Sequence, residues 1–140
     1  MHVRSYRRPF KSPIILTTLP HFAAALIVAD VEPAYAAIIA VSSALSVAWH
    51  WLHEPAGILF FLDYGAAAVW MVADCWLSFR GGFFLAAAAL NGVSLAVNQA
   101  AARVRKGPYW DRAHAAWHIL NVAKAIWIAY LVRIAAAAKN

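Results

Sequence analysis

Four apolar stretches, each close to the length of a bilayer-crossing helix, constrain this chain more than any other feature. They lie at about 33–53, 57–79, 82–102 and 113–138, and a shorter one at about 14–30 precedes them. A hydrocarbon core needs roughly 20 apolar residues as a helix. The breaks between stretches are short and sharp: Asp30-Val31-Glu32-Pro33, His53-Glu54-Pro55, Arg80-Gly81-Gly82 and the basic run Arg103 to Pro108. Each pairs charge with Gly or Pro, as a turn between spans does. Composition agrees, at 64% hydrophobic and 13% charged, against about 45–50% and about 25% in soluble domains. A soluble monomer of this size buries only about two-thirds of its unfolded surface. It has no way to hide so much apolar side chain. The single cysteine, Cys75, excludes a disulfide scaffold and a thiolate cluster.

The expectation is an all-α, polytopic transmembrane bundle of about five spans, forming one domain over residues 1–140. The first stretch has a rival reading. Arg4, Arg7, Arg8 and Lys11, an apolar run and Ala34-Tyr35-Ala36 have the look of a signal peptide. The apolar segment continues straight through the proposed cut, which argues for a span. Threading five spans puts Arg4, Arg7, Arg8, Lys11, Arg103, Arg105, Lys106 and Arg112 on the face of the N-terminus. Arg80, Arg133 and Lys139 fall on the other. The positive-inside bias then makes the N-terminus cytoplasmic. The formal charge of +6 is topological, and no aqueous basic domain exists to bind nucleic acid. Small size and high alanine content suggest a bacterial inner membrane.

Ionisable residues inside spans mark function by default, and here they converge. Ser46 and His50 share a helix face at the end of the second span. Asp63 and Tyr64 open the third, and His114 and His118 open the fifth, again at i and i+4. Counting spans puts all three segment ends on one membrane face. Two histidines one turn apart can hold one metal ion, and a third from another helix completes three nitrogen ligands with a fourth position open. Asp63 suits a general base or a partner orienting a ligand or the water. Ser46 suits an oxyanion donor. Singly, each has a plainer reading: His50 as an interfacial residue, Ser46 as helix packing. His53 and Glu54 read as solvated loop residues, and His2 and His21 as non-ligands. Trp49, Trp51, Trp110 and Trp117 form an interfacial belt, with Trp49 and Trp117 beside the ligands. Asp74, eleven residues past Asp63, and Lys124, ten past His114, lie roughly 15 Å deeper. They are expected to form a buried ion pair, helped by Asn91 or Asn121.

The set Ser46-Val47-Ala48-Trp49-His50, Leu62-Asp63-Tyr64 and His114-Ala115-Ala116-Trp117-His118 resembles the CREST superfamily of membrane hydrolases. That group includes alkaline ceramidases and the progestin/adiponectin-receptor-like proteins. The resemblance covers about a quarter of the chain. It implies an intramembrane Zn2+ held by His50, His114 and His118, with Ser46 and Asp63 catalytic. It also implies hydrolysis of an amide or ester bond in a membrane lipid. The expected reaction is attack of a zinc-bound water on the lipid carbonyl. The chain departs from the family in having room for five spans where members have seven. The acidic N-terminal segment expected of ceramidases is also absent before the first span. Two non-enzymatic readings stand beside this one: a membrane module binding metal or haem, and a packing subunit of a larger complex.

Overall fold

The computed structural model describes residues 12–104 and 108–138. Arg4, Arg7, Arg8, Lys11, Arg105, Lys106 and Lys139, which carry much of the charge asymmetry, lie outside the described residues, as does His2. Six helices follow in order: α1 (Pro13–Thr18), α2 (His21–Val28), α3 (Pro33–Trp51), α4 (Ile58–Gly81), α5 (Phe84–Ala102) and α6 (Pro108–Ala137). Among the described residues there is no strand. Helices α3 to α6 are each long and apolar enough to cross a bilayer. The protein is a multi-pass membrane helical bundle.

The first apolar stretch is not a continuous helix. Pro20 has no N–H, so the ladder cannot pass it, and the chain breaks into α1 and α2. Phe22 N–H turns to the Leu19 carbonyl (3.1 Å). The Thr18 carbonyl that it leaves is taken by His21 Nδ1 at 2.8 Å. The broken pair still follows α6 along most of its length. Ile14 packs with Trp110 and Ala115, while Arg133 donates to the Ile27 carbonyl (2.8 Å) and to both oxygens of Asp30. The last expected span, α6, begins at Pro108, earlier than residue 113, since proline suits a first helical turn. At the other end of α4, Gly82 adopts φ +80° and sends its N–H back to Phe79 (3.3 Å). That left-handed position favours glycine.

The α1–α2 pair, α3, α4, α5 and α6 close a ring in chain order, with α4 also against α6. An apolar core of Val28, Ile39, Leu77, Ile128 and Val132 joins α2, α3, α4 and α6. Elsewhere the bundle is inverted relative to a soluble protein. Leu85, Ile58, Phe61 and Phe79 are 69–82% exposed, while the buried face of α5 is Ala87, Asn91, Ser94, Asn98 and Ala101. Hydrocarbon solvates the first group and offers no partner to the second.

Four helices meet at one polar cluster. Lys124 Nζ of α6 lies 2.9 Å from Asp74 Oδ2 of α4 and 2.7 Å from Asn91 Oδ1 of α5. The Tyr35 hydroxyl of α3 donates to Asp74 Oδ1 at 2.5 Å. Asn121 is engaged elsewhere, accepting from Ser94 Oγ at 2.6 Å. Asp74 is fully buried and Lys124 8% exposed. Removing one member strands the other charge, at a cost of about 3–5 kcal/mol. Asp74→Ala is therefore expected to destabilise the bundle by about that amount in a reversible unfolding assay. The charge-neutral Asp74→Asn/Lys124→Met pair should recover more than half. Equal losses in the two variants would refute the clamp.

Candidate metal centre

The end of α3, the start of α4 and the start of α6 come together at one end of the bundle. His50, His114 and His118 are each no more than 3% exposed. Each offers a ring nitrogen, and these atoms all lie within 4.8 Å of one another. His118 Nε2 stands 3.1 Å from His50 Nε2. Their ring centroids are 4.9–5.1 Å apart, close to edge-on. Ser46, Trp49, Tyr64 and Trp117 line the same cavity as the histidines and Asp63. Asp63 is buried and hydrogen-bonded with Ser46.

The far nitrogens of two rings settle what the near ones present. His50 Nδ1 lies 3.1 Å from Glu54 Oε1, an acceptor when ionised, so it carries the proton. The Thr18 hydroxyl spends its own proton on the Ile14 carbonyl at 2.8 Å. Its oxygen therefore accepts from His118 Nδ1 at 3.5 Å. These tautomers, assigned from the hydrogen bonds, leave two Nε2 lone pairs facing each other at 3.1 Å. Such lone pairs repel unless a cation lies between them. Metal-bound histidines are commonly held in this way, with the outer N–H on a carboxylate or other oxygen. With nitrogens about 2.0–2.1 Å from a tetrahedral ion, two ligands sit roughly 3.4 Å apart, close to the separation seen. The donor set thus fits a metal ion.

Glu54 is not a solvated loop residue. It is 8% exposed overall, and its carboxylate is buried against His50. The turn that puts it there is strained. His53 and Glu54 both have positive φ, 61° and 54°, at a cost of roughly 1–2 kcal/mol per residue. Glu54 N–H closes on the Trp49 carbonyl (2.8 Å), and Trp49 Nε1 donates to the Pro55 carbonyl (3.1 Å). The reversal folds the carboxylate back under the ring one turn earlier. Trp110, expected in the interfacial belt, is 6% exposed and stacks on His114 at 4.6 Å.

From the triad a cavity of about 240 Å³ runs inward to Lys124 and Asn91. Its exposed lining residues, Tyr64, Ala67 and Ala68 on α4 and Leu95 and Gln99 on α5, mark where it opens to the outside of the bundle. The polar stripe of α5 lines its inner side, with Asn98 bonded to Tyr64. Apart from Asn91, these α5 positions were missing from the sequence reading. The spacing Asn91, Ser94, Asn98 at i, i+3, i+7 is the signal that shows them.

Purified protein is expected to hold about one divalent metal ion per chain by elemental analysis, and His118→Ala close to none. Glu54→Gln should weaken retention against a chelator by about 10–100-fold. A metal-free wild type, or a Glu54→Gln variant with unchanged affinity, would sink this assignment.

No family model, curated protein or solved structure matches this chain, so its functional reading rests on the geometry of this centre and on the cavity beneath it.

Proposed function

We propose that the protein is an intramembrane zinc-dependent hydrolase of a lipid amide or ester, similar in chemistry to the alkaline ceramidases. The observation that carries this reading is the convergence of His50 and His118 lone pairs, with His114 beside them, on the wall of a membrane-embedded cavity that also holds Ser46 and Asp63. Three imidazoles suit zinc, copper, iron or nickel. A three-histidine set with an open position is a catalytic zinc arrangement. When bound, such an ion polarises a carbonyl and makes a water acidic enough to attack near neutral pH.

The chain's own groups supply the rest. Asp63 takes the proton of the attacking water and returns it to the leaving amine or alcohol. Ser46, hydrogen-bonded to Asp63, holds that carboxylate in place and is available to donate to the carbonyl oxygen. Glu54 and Thr18 keep His50 and His118 in the tautomers that present Nε2 inward. Lipid reaches the centre from the bilayer between α4 and α5, where Ala67 and Ala68 leave room. The positive-inside bias favours the metal end at the cytoplasmic face, and small size with high alanine content favours a bacterial inner membrane.

A haem-binding module is less well supported. Axial histidines must face each other across a flat macrocycle. Here the three rings pack edge against face within 5.1 Å, with no slot between them. A packing subunit leaves the centre and its cavity without a role.

The test is fatty-acid release from a panel of ceramides, N-acyl amino lipids and phospholipids by zinc-loaded protein. Asp63→Asn should lower kcat by about 10²–10⁴ while retaining the metal. Ser46→Ala should lower it by about 10-fold or more. Cleavage of no lipid, or equal cleavage by Asp63→Asn, would end the hydrolase reading.

A further inference from the structure

The catalytic reading uses only one end of the cavity. The other end is polar, deep in the membrane, and built from groups that the reaction does not need. Lys124 forms part of its wall. An ammonium has three N–H donors. Asp74 and Asn91 take two of them, and the Trp70 ring lies 5.5 Å from Nζ. His21 is on the same wall, 3% exposed, between Trp70 (5.5 Å) and His118 (6.1 Å), and stands outside the metal-binding set. Its Nδ1 is committed to the Thr18 carbonyl at 2.8 Å, so Nδ1 carries the proton. Nε2 of the neutral ring is then a hydrogen-bond acceptor. The two residues thus bring one donor and one acceptor to a single cavity wall. That pair matches a hydroxyl group, which donates once and accepts.

Charge narrows the ligand further. Asp74 neutralises Lys124. Among the described residues, no arginine, and no lysine other than Lys124, lines the cavity. A phosphate or carboxylate would arrive there without a free counter-charge and at a large desolvation cost. A neutral hydroxyl has no such penalty.

We propose that His21 and Lys124 form a hydroxyl-binding subsite that selects neutral lipids carrying a hydroxyl part-way along the chain. His118 and Lys124 are six residues apart on α6, an axial rise of about 9 Å, and the His21 ring centroid is 6.1 Å from that of His118, so the subsite lies roughly 6–9 Å from His118, the reach of about five to seven carbon–carbon bonds. Both side chains lean toward the helix N-terminus, which preserves that offset. The positional rule rests on the hydrolase reading, because it assumes the scissile carbonyl sits at the triad. Selection of a hydroxylated chain does not.

The experiment measures binding and cleavage separately. Zinc-loaded full-length protein in lipid nanodiscs is titrated with three N-alkyl octadecanamides. One has an unsubstituted chain, one a hydroxyl on the seventh carbon, and one a hydroxyl near the chain end. The seventh-carbon amide should bind about tenfold more tightly than the other two, the scale of one hydrogen bond to a charged donor. His21→Phe should bring the three within about twofold, with metal content unchanged. Asp74→Asn/Lys124→Met should do the same, and if that variant does not fold, His21→Phe decides. Equal affinities in the wild type, or a preference that survives in His21→Phe, overturns the subsite. A preference for the seventh-carbon amide without cleavage of any of the three upholds the subsite and counts against the hydrolase.

Discussion

Hydrocarbon offers no partner to a polar side chain, so every buried polar atom of a membrane bundle must be answered from within. Here that requirement organises the whole fold. Asp74 and Lys124 are tolerable at their depth only together, and each needs a second partner, supplied by Tyr35 and Asn91. The four residues come from four different helices. One electrostatic contact therefore sets the relative depth of α3, α4, α5 and α6. The apolar contacts of α2, α3 and α6 then fill the end away from the metal centre, where Arg133–Asp30 and Arg80–Glu32 ion pairs close the bundle. There the Arg133 guanidinium holds the exposed Asp30 carboxyl below the usual carboxylate range.

Once those depths are set, the opposite end has little freedom. His50 arrives on α3, and His114 and His118 arrive on α6, with Asp63 beside them on α4. The two strained residues after α3 complete the arrangement by carrying Glu54 back to His50. Left-handed backbone at a histidine and a glutamate persists only where the surroundings over-determine it, and such strain gathers at functional sites. The break at Pro20 acts similarly. It frees the Thr18 carbonyl and fixes His21 on the cavity wall, while the Thr18 hydroxyl, one turn from Ile14, orients His118. A proline that looks like a flaw in a transmembrane segment thus positions two cavity groups.

Much of this was legible in the chain. Four membrane-length helices follow from apolar length and charged breaks alone. The three histidines could be gathered because the i, i+4 spacing puts two on one face and span counting puts the third at the same end. Asp74 and Lys124 could be matched for depth by residue rise. Other features were hidden, for identifiable reasons. Glu54 looks like a loop residue because nothing local announces a left-handed turn at His53. Trp110 looks like an interfacial anchor because its stacking on His114 depends on α6 starting at Pro108. The polar face of α5 is visible as a period, but an asparagine-serine stripe carries no chemical signature until something faces it.

The sequence by itself determined that this chain crosses the membrane several times and that its scarce polar residues fall at two depths. Both follow from one-dimensional quantities, apolar length and rise per residue. Only the tertiary structure decided which polar atoms meet. It paired Asp74 with Tyr35 as well as Lys124, put Glu54 and Thr18 behind two of the histidines, and opened the cavity between α4 and α5. Those outcomes depend on helix rotation and on the direction of single side chains. In a bundle whose outer surface faces lipid, apolar burial alone leaves that rotation loosely set, and close packing together with the demand for internal hydrogen-bond partners fixes it.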